Sequence, residues 1–162
     1  SEREKILICG WRRDIRDTLV HLNGTVAQPA SKVDNKNPEK GGGSPDELSE
    51  VWILTDRVPV EDRDAFLLNE GLDLDGLDRI EIKHRFGNTA VRRSFENLPM
   101  HEFTSVLIFS ESSLEQDAMS SDSHNLATLL LVRDLHQIKT AVSRKKMASR
   151  ISLGLKMHQK VE

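Results

Sequence analysis

The apolar run Lys5-Ile6-Leu7-Ile8-Cys9 ends in Gly10, and Trp11-Arg12-Arg13-Asp14 follows at once. A strand that turns through glycine into the start of a helix points backbone N–H groups at an incoming anion. Arg12 and Arg13 add positive charge, so Gly10, Trp11, Arg12 and Arg13 are the first candidate ligand contacts. Dinucleotide sites of this shape use three glycines. Counted from Gly10, the second position holds Arg12 and the third holds Ile15. The second glycine lets a pyrophosphate reach the backbone, and the third lets helix and strand pack closely. A bulky, charged Arg12 leaves little room, so NAD is not expected here. The alternative for the two arginines is structural: pairing with Asp14, Asp17 or a neighbouring subunit.

Other residues could carry chemistry in ways that differ in specificity. Asp56 ends the second apolar run and could hold a ribose hydroxyl, while Arg57 beside it would favour a phosphate; a solvated turn acid accounts for Asp56 equally well. Glu111, Glu115, Asp117 and Asp122 surround the end of the fourth run. Calcium needs several oxygen ligands, and such acids could supply some, with others from another domain. Their spacing is not that of an EF-hand, and helix capping or solvation also explains them. The six histidines are scattered with no His-x-x-x-His pair, and there is one cysteine, so zinc is not expected. Ser112 and Ser113 lack the Gly-x-Ser-x-Gly context of a nucleophile. Cys9, inside an apolar run, reads as a small buried hydrophobe. Arg144-Lys145-Lys146 could touch nucleic acid or an anionic membrane, or form a solvated linker.

Positioning these groups requires strands and helices in alternation. Four apolar runs have strand length: Lys5–Cys9, Glu50–Leu54, Arg79–Lys83 and Ser105–Phe109. Val51-Trp52-Ile53-Leu54 and Val106-Leu107-Ile108-Phe109 are continuously apolar, as strands covered on both faces should be. Helix-like segments separate them, which predicts a parallel sheet. Pro59 opens one helix toward Glu70, with Gly71 at its C-terminal cap. Asn88 or Thr89 caps another through Phe95 toward Leu98, stopped by Pro99. Ser112 with Glu115, or Ser113 with Gln116, forms a capping box. The longest helical pattern runs from Asn125 to about Thr140 and is apolar over much of its circumference. Such a helix packs on two partners: the sheet, and here a neighbouring subunit. Leu126, Leu130, Leu131 and Asp134 are the candidate assembly residues. Residues 24–49 are polar and glycine-rich, with Gly41-Gly42-Gly43 followed by the cap-like Ser44-Pro45-Asp46-Glu47, so they read as an inserted loop. Residues 139–162 are basic and read as a linker or frayed helix.

Composition sets outer bounds. With 162 residues, 37% hydrophobic and 30% charged, the chain supports one globular α/β domain. A net charge of −3 and the absence of Tyr argue against a nucleic-acid partner. No apolar stretch approaches the roughly 20 residues of a membrane span, and a single cysteine suits a reducing compartment. A chain opening at Ser1 is expected to be a piece of something larger.

Several strings together resemble the second cytosolic regulatory domain of CASTOR/POLLUX-type ion channels. They are Lys5–Asp14, Gly71–Leu74, Gly87–Arg93 with Glu96–Pro99, and Asp122–Asp134, in family order. The resemblance implies an RCK (regulator of K+ conductance) domain with a Rossmann-like lobe. Its parallel sheet would have strand order 3-2-1-4, with Gln159–Glu162 approaching a fifth strand. It further implies a non-enzymatic domain in a tetrameric homo-oligomeric ring of RCK domains. That ring would sit on the cytosolic or nucleoplasmic side of a cation channel, as at the nuclear envelope in plants. Calcium is the ion implied. Residues 24–49 depart from the shorter plant pattern. A soluble nucleotide sensor and an NAD-dependent oxidoreductase are the competing readings.

Overall fold

The computed structural model describes residues 3–27, 48–109 and 118–158. Strand β1 (Lys5–Cys9) leads into helix α1 (Ile15–Thr25), then β2 (Ser49–Thr55), α2 (Val60–Asn69) and β3 (Ile80–Phe86). A short 3-10 helix (Arg92–Phe95), β4 (Ser105–Ile108) and the long α3 (Ala118–His158) complete the order. The four strands form one sheet in the order β3-β2-β1-β4, with every neighbouring pair parallel. This is the α/β, Rossmann-like arrangement that the alternation of runs predicts.

Register explains the burial. Ile6 stands beside Val51, and Val51 beside Ile82, so these share one face. Leu7 and Trp52 share the other. On the first face Ile6, Ile8, Val51, Ile53 and Ile80 pack with Ile15 and Leu19 of α1 and Leu67 of α2. On the second, Leu7, Cys9, Trp52 and Leu54 pack with Phe95, Leu98, Met100, Phe103 and, from α3, Val132 and Leu135. Both faces are covered, and all seven residues of β2 are buried. Each fully buried aliphatic side chain contributes about 1.5–3 kcal/mol relative to exposure, and β1 and β2 place four core side chains each between the two layers.

Local signals act as the residue types dictate, with three departures. After α2, the N–H of Gly71 bonds Leu68 O at 2.9 Å and the N–H of Leu72 bonds Leu67 O at 2.9 Å. Gly71 takes φ 85°, the left-handed turn in which glycine avoids a Cβ penalty. The helix expected from Asn88 to Leu98 is not an α-helix. Asn88 Oδ1 accepts the N–H of Ala90 at 2.8 Å, and Val91 is extended, leaving only the 3-10 turn. A short amide side chain competing for its own backbone is the cause. The insert does not begin at Gly24: Gly24 and Thr25 close α1, Thr25 Oγ1 donates back to His21 O at 3.1 Å, and Val26 is buried. Residues 28–47 lie outside the described part. Finally, α3 does not stop near Thr140 but continues to His158, so the basic segment is helical that far.

Candidate functional site

The carboxyl ends of β1, β2 and β4 gather the first group of candidates. In open parallel sheets, ligands bind where the strand order reverses; here that crevice lies between β1 and β4. Gly10 leaves β1 with φ 105° and donates its N–H to Leu54 O at 2.8 Å. Phe109 donates to Cys9 O at 2.9 Å, which sets its ring at the mouth of the crevice. The Arg12 guanidinium lies 5.2 Å from the centre of that ring. Asp14 grips the same guanidinium with both oxygens, Oδ1 at 2.9 Å and Oδ2 at 2.5 Å. The Arg12 hydrogen bond holds the Asp14 carboxyl below its ordinary value. Asp14 is the residue before α1, yet it makes no side-chain cap; its carboxylate is spent on Arg12. Trp11 packs against the α1/α2 side of the core, Arg13 is exposed, and Asp56 is exposed just beyond β2. An anion recruiting Arg12 would compete with Asp14 for its guanidinium.

Cys9 is buried at the end of β1, and burial pushes its thiol up to about 12. At neutral pH it is a packed thiol with almost no thiolate.

Three buried or half-buried charged groups around β2 and β3 were not singled out from the sequence. Arg63 of α2 is fully buried, and the hydrogen bonds of its guanidinium go to backbone carbonyls. Its Nε donates to Val58 O (3.0 Å), and one terminal nitrogen donates to Ile53 O (3.0 Å). The other donates to Thr55 O and Arg85 O (both 2.9 Å). The guanidinium thus ties the carboxyl ends of β2 and β3 to α2, and burial lowers its pKa. Beside it, His84 Nε2 lies 3.0 Å from Asp64 Oδ1, while its Nδ1 is buried without a partner. Burial lowers the His84 pKa and the Arg63 charge lowers it further, against the pull of Asp64. Glu50, buried on β2, accepts from the Trp52 indole at 2.8 Å and pairs with Arg3, Lys5 and Lys83. Burial pushes its carboxyl up, but the Trp52 and Lys83 hydrogen bonds and the nearby lysine charges leave it below its ordinary value. Two signals unused in the sequence reading lie here: an arginine on the same helical stripe as Leu67, and a glutamate alternating with Trp52 and Leu54.

The second group of candidates lies on α3. Thr128, Val132 and Leu135 form its buried stripe. Thr128 Oγ1 donates to Thr89 Oγ1 at 3.3 Å, and Thr89 meets His124 Nε2 at 2.9 Å. Arg92 pairs with Asp134, and His136 Nδ1 lies 3.0 Å from Met100 O. Leu126, Leu129 and Leu130 are more than half exposed. Leu131 is not on that exposed stripe, because it packs on the sheet cluster. Asp134 faces Arg92 of its own chain. Of the proposed calcium acids, Glu111, Glu115 and Asp117 lie outside the described residues, and only the backbone of Asp122 is described, within α3. Among the described residues no three His, Cys, Asp or Glu side chains come together as metal ligands.

The fold defines an open parallel α/β domain of Rossmann-like class, with Arg12, Asp14 and Phe109 drawn together beside the turn after β1. No family model matches the chain. The chain is nevertheless homologous to part of the CASTOR/POLLUX ion channels. It is 38% identical over 151 residues, 93% of its length, to the probable ion channel CASTOR of Oryza sativa. It is 40% identical over 132 residues, 82% of its length, to the ion channel POLLUX of Lotus japonicus, and 39% identical over the same share to the ion channel DMI1 of Medicago truncatula. The chain spans only 15%, 12% and 13% of those proteins, respectively. These relatives carry channel names, not enzyme names. Among the described residues no helix is long and apolar enough to cross a membrane.

Proposed function

We propose that this chain is the regulatory RCK domain of a CASTOR/POLLUX-like cation channel. In this view it acts without catalysis, by assembling with the same domain of neighbouring subunits into a ring on the cytosolic or nucleoplasmic side. One observation carries the proposal: the exposed leucines 126, 129 and 130 on a helix whose opposite stripe is already packed. Large apolar side chains clustered in water mark an interaction surface. A ligand or calcium would bias the ring by binding one arrangement of neighbouring domains more tightly than another. Against the nucleotide-dependent alternatives stands the sequence of the Gly10 turn, where Arg12 and Ile15 replace the second and third glycines and the Arg12 guanidinium is engaged by Asp14.

Sedimentation of the chain tests assembly. Leu130→Glu should weaken self-association while leaving the melting temperature nearly unchanged, because Leu130 faces solvent. Unchanged association of a folded Leu130→Glu variant would remove the α3 leucines from assembly. Calcium is tested by thermal melting, since binding to the folded state raises the transition by mass action. A calcium shift lost in Asp117→Asn or Asp122→Asn would place the ion at those acids, and no shift would remove calcium from the proposal.

A further inference from the structure

Charge in this chain is segregated by element. Residues 135–161 hold seven Lys or Arg and no Asp or Glu. Residues 56–78 hold eight Asp or Glu and two Arg, one of which is the buried Arg63. The basic part is the second half of α3. A helix of 41 residues is about 60 Å long at 1.5 Å per residue, whereas a seven-residue strand spans about 23 Å. The helix therefore outruns the sheet it packs on. Residues 144–150, which include Arg144, Lys145, Lys146 and Arg150, are all exposed, and Met147 among them is 67% exposed. The acidic part is α2 with its flanking turns. Glu61, Asp62, Asp64 and Glu70 are exposed on it, interspersed with the exposed apolar side chains Phe66 and Leu68.

The two surfaces are complementary in both respects, since each sets apolar side chains among charges of one sign. They do not meet within one molecule: α2 packs on one face of the sheet through Leu67, and α3 packs on the other through Val132 and Leu135. We infer that the basic half of α3 docks on the acidic, apolar face of α2 in a second copy of this chain. The inference rests on the reading of this domain as an assembling module and names a contact for it separate from the α3 leucines. Opposite charge steers such an encounter and fixes its partner, and burying Met147 against Phe66, which shares a helical stripe with Asp62, adds the apolar contribution.

Charge reversal tests it. Self-association of the chain is measured by sedimentation at about 50 mM and about 500 mM salt, where screening shortens from about 14 to about 4 Å. Association should weaken at the higher salt. Lys145→Glu/Lys146→Glu and Glu61→Lys/Asp62→Lys should each weaken it about tenfold or more, as expected for several charges opposed across one contact. All four residues are exposed, so the fold should be retained, which circular dichroism checks. Mixing the two variants, or combining all four changes in one chain, should restore association, because the reversed charges again meet. Association that persists unchanged in both variants overturns the inference but leaves assembly intact. A chain that stays monomeric at all concentrations overturns the assembly reading as well. If Lys145→Glu/Lys146→Glu abolishes binding to phosphatidylserine vesicles while leaving self-association untouched, the basic half serves a membrane, and the inference fails.

Discussion

Replacing Arg63 by methionine keeps a long apolar stem in the core and removes four hydrogen bonds to the carbonyls of Val58, Ile53, Thr55 and Arg85. Thr55 O retains the N–H of Gly87 at 3.1 Å, so it is not stranded. Hydrogen bonds to a charged group contribute about 1.5–3 kcal/mol each, but removal of the buried charge returns its own desolvation cost. A buried carbonyl left without its donor costs about 1–3 kcal/mol, so the three that lose theirs, offset by the returned desolvation, put the loss at about 3–5 kcal/mol. Against a total stability of roughly 5–15 kcal/mol, that is a large fraction. For a domain of this size, each 1 kcal/mol moves the midpoint about 2–4 °C, so the variant should melt about 6–20 °C lower. Thermal and urea unfolding give the two numbers, and hydrogen exchange should show the loss of protection concentrated at the ends of β2 and β3. Arg63→Lys should fall between wild type and Arg63→Met, because an ammonium has three donors and no planar fork. If Arg63→Met unfolds within about 1 kcal/mol of the wild type, the four bonds contribute nothing net and the account of Arg63 as a tie between sheet and helix is refuted.

Three further outcomes follow from the same structure. The His84 pKa lies below its ordinary 6.5, so His84 is held neutral and its contribution is present above pH 6.5. It is lost as pH falls from there toward the folded value, where the unfolded chain binds the extra proton; His84→Gln should flatten melting temperature against pH in that window. Cys9 should react with a thiol reagent only at the rate of unfolding at neutral pH, and stability should fall as pH rises from 9 toward about 12, where the unfolded thiol ionises first. A Cβ at Gly87 would sit 2.6 Å from Ser94 Oγ and 2.7 Å from Ser94 Cβ, so Gly87→Ala should cost about 1–3 kcal/mol in denaturant unfolding. The double change Gly87→Ala/Ser94→Gly should recover most of that loss.

What the sequence made plain was set by local pattern. Strands buried on both faces must be apolar throughout, and the run Val51–Leu54 could hardly lie elsewhere. Gly71 was legible because a helix end needs its left-handed turn. The phase of α3 was harder to read. A leucine-rich segment offers several stripes of equal hydrophobicity, and the one that faces the sheet is chosen by Thr128 meeting Thr89, a pairing 39 residues apart. That choice turns Leu131 inward and leaves Leu129 out. Arg63 was hidden for a similar reason: its partners are backbone carbonyls on two strands, which side-chain pattern does not encode. The Gly10 turn was partly legible. The departure from the three-glycine pattern was visible in the sequence, but the placement of Arg12 near Phe109 depends on β4 lying beside β1.

The attachment of α3 has a mechanical consequence. Three of its polar contacts, Thr128 with Thr89, Asp134 with Arg92 and His136 with Met100, reach the segment between β3 and β4, beside the apolar packing on the sheet. From His136 the helix runs on to His158, about 33 Å at 1.5 Å per residue. Such a rod converts small angles into long strokes: a tilt of about 10° at its seat carries the far end about 6 Å. Displacement of the short Gly87–Phe103 connection, by about the size of one bond, would therefore arrive at the tip as a movement several times larger, with the sheet standing still as the frame.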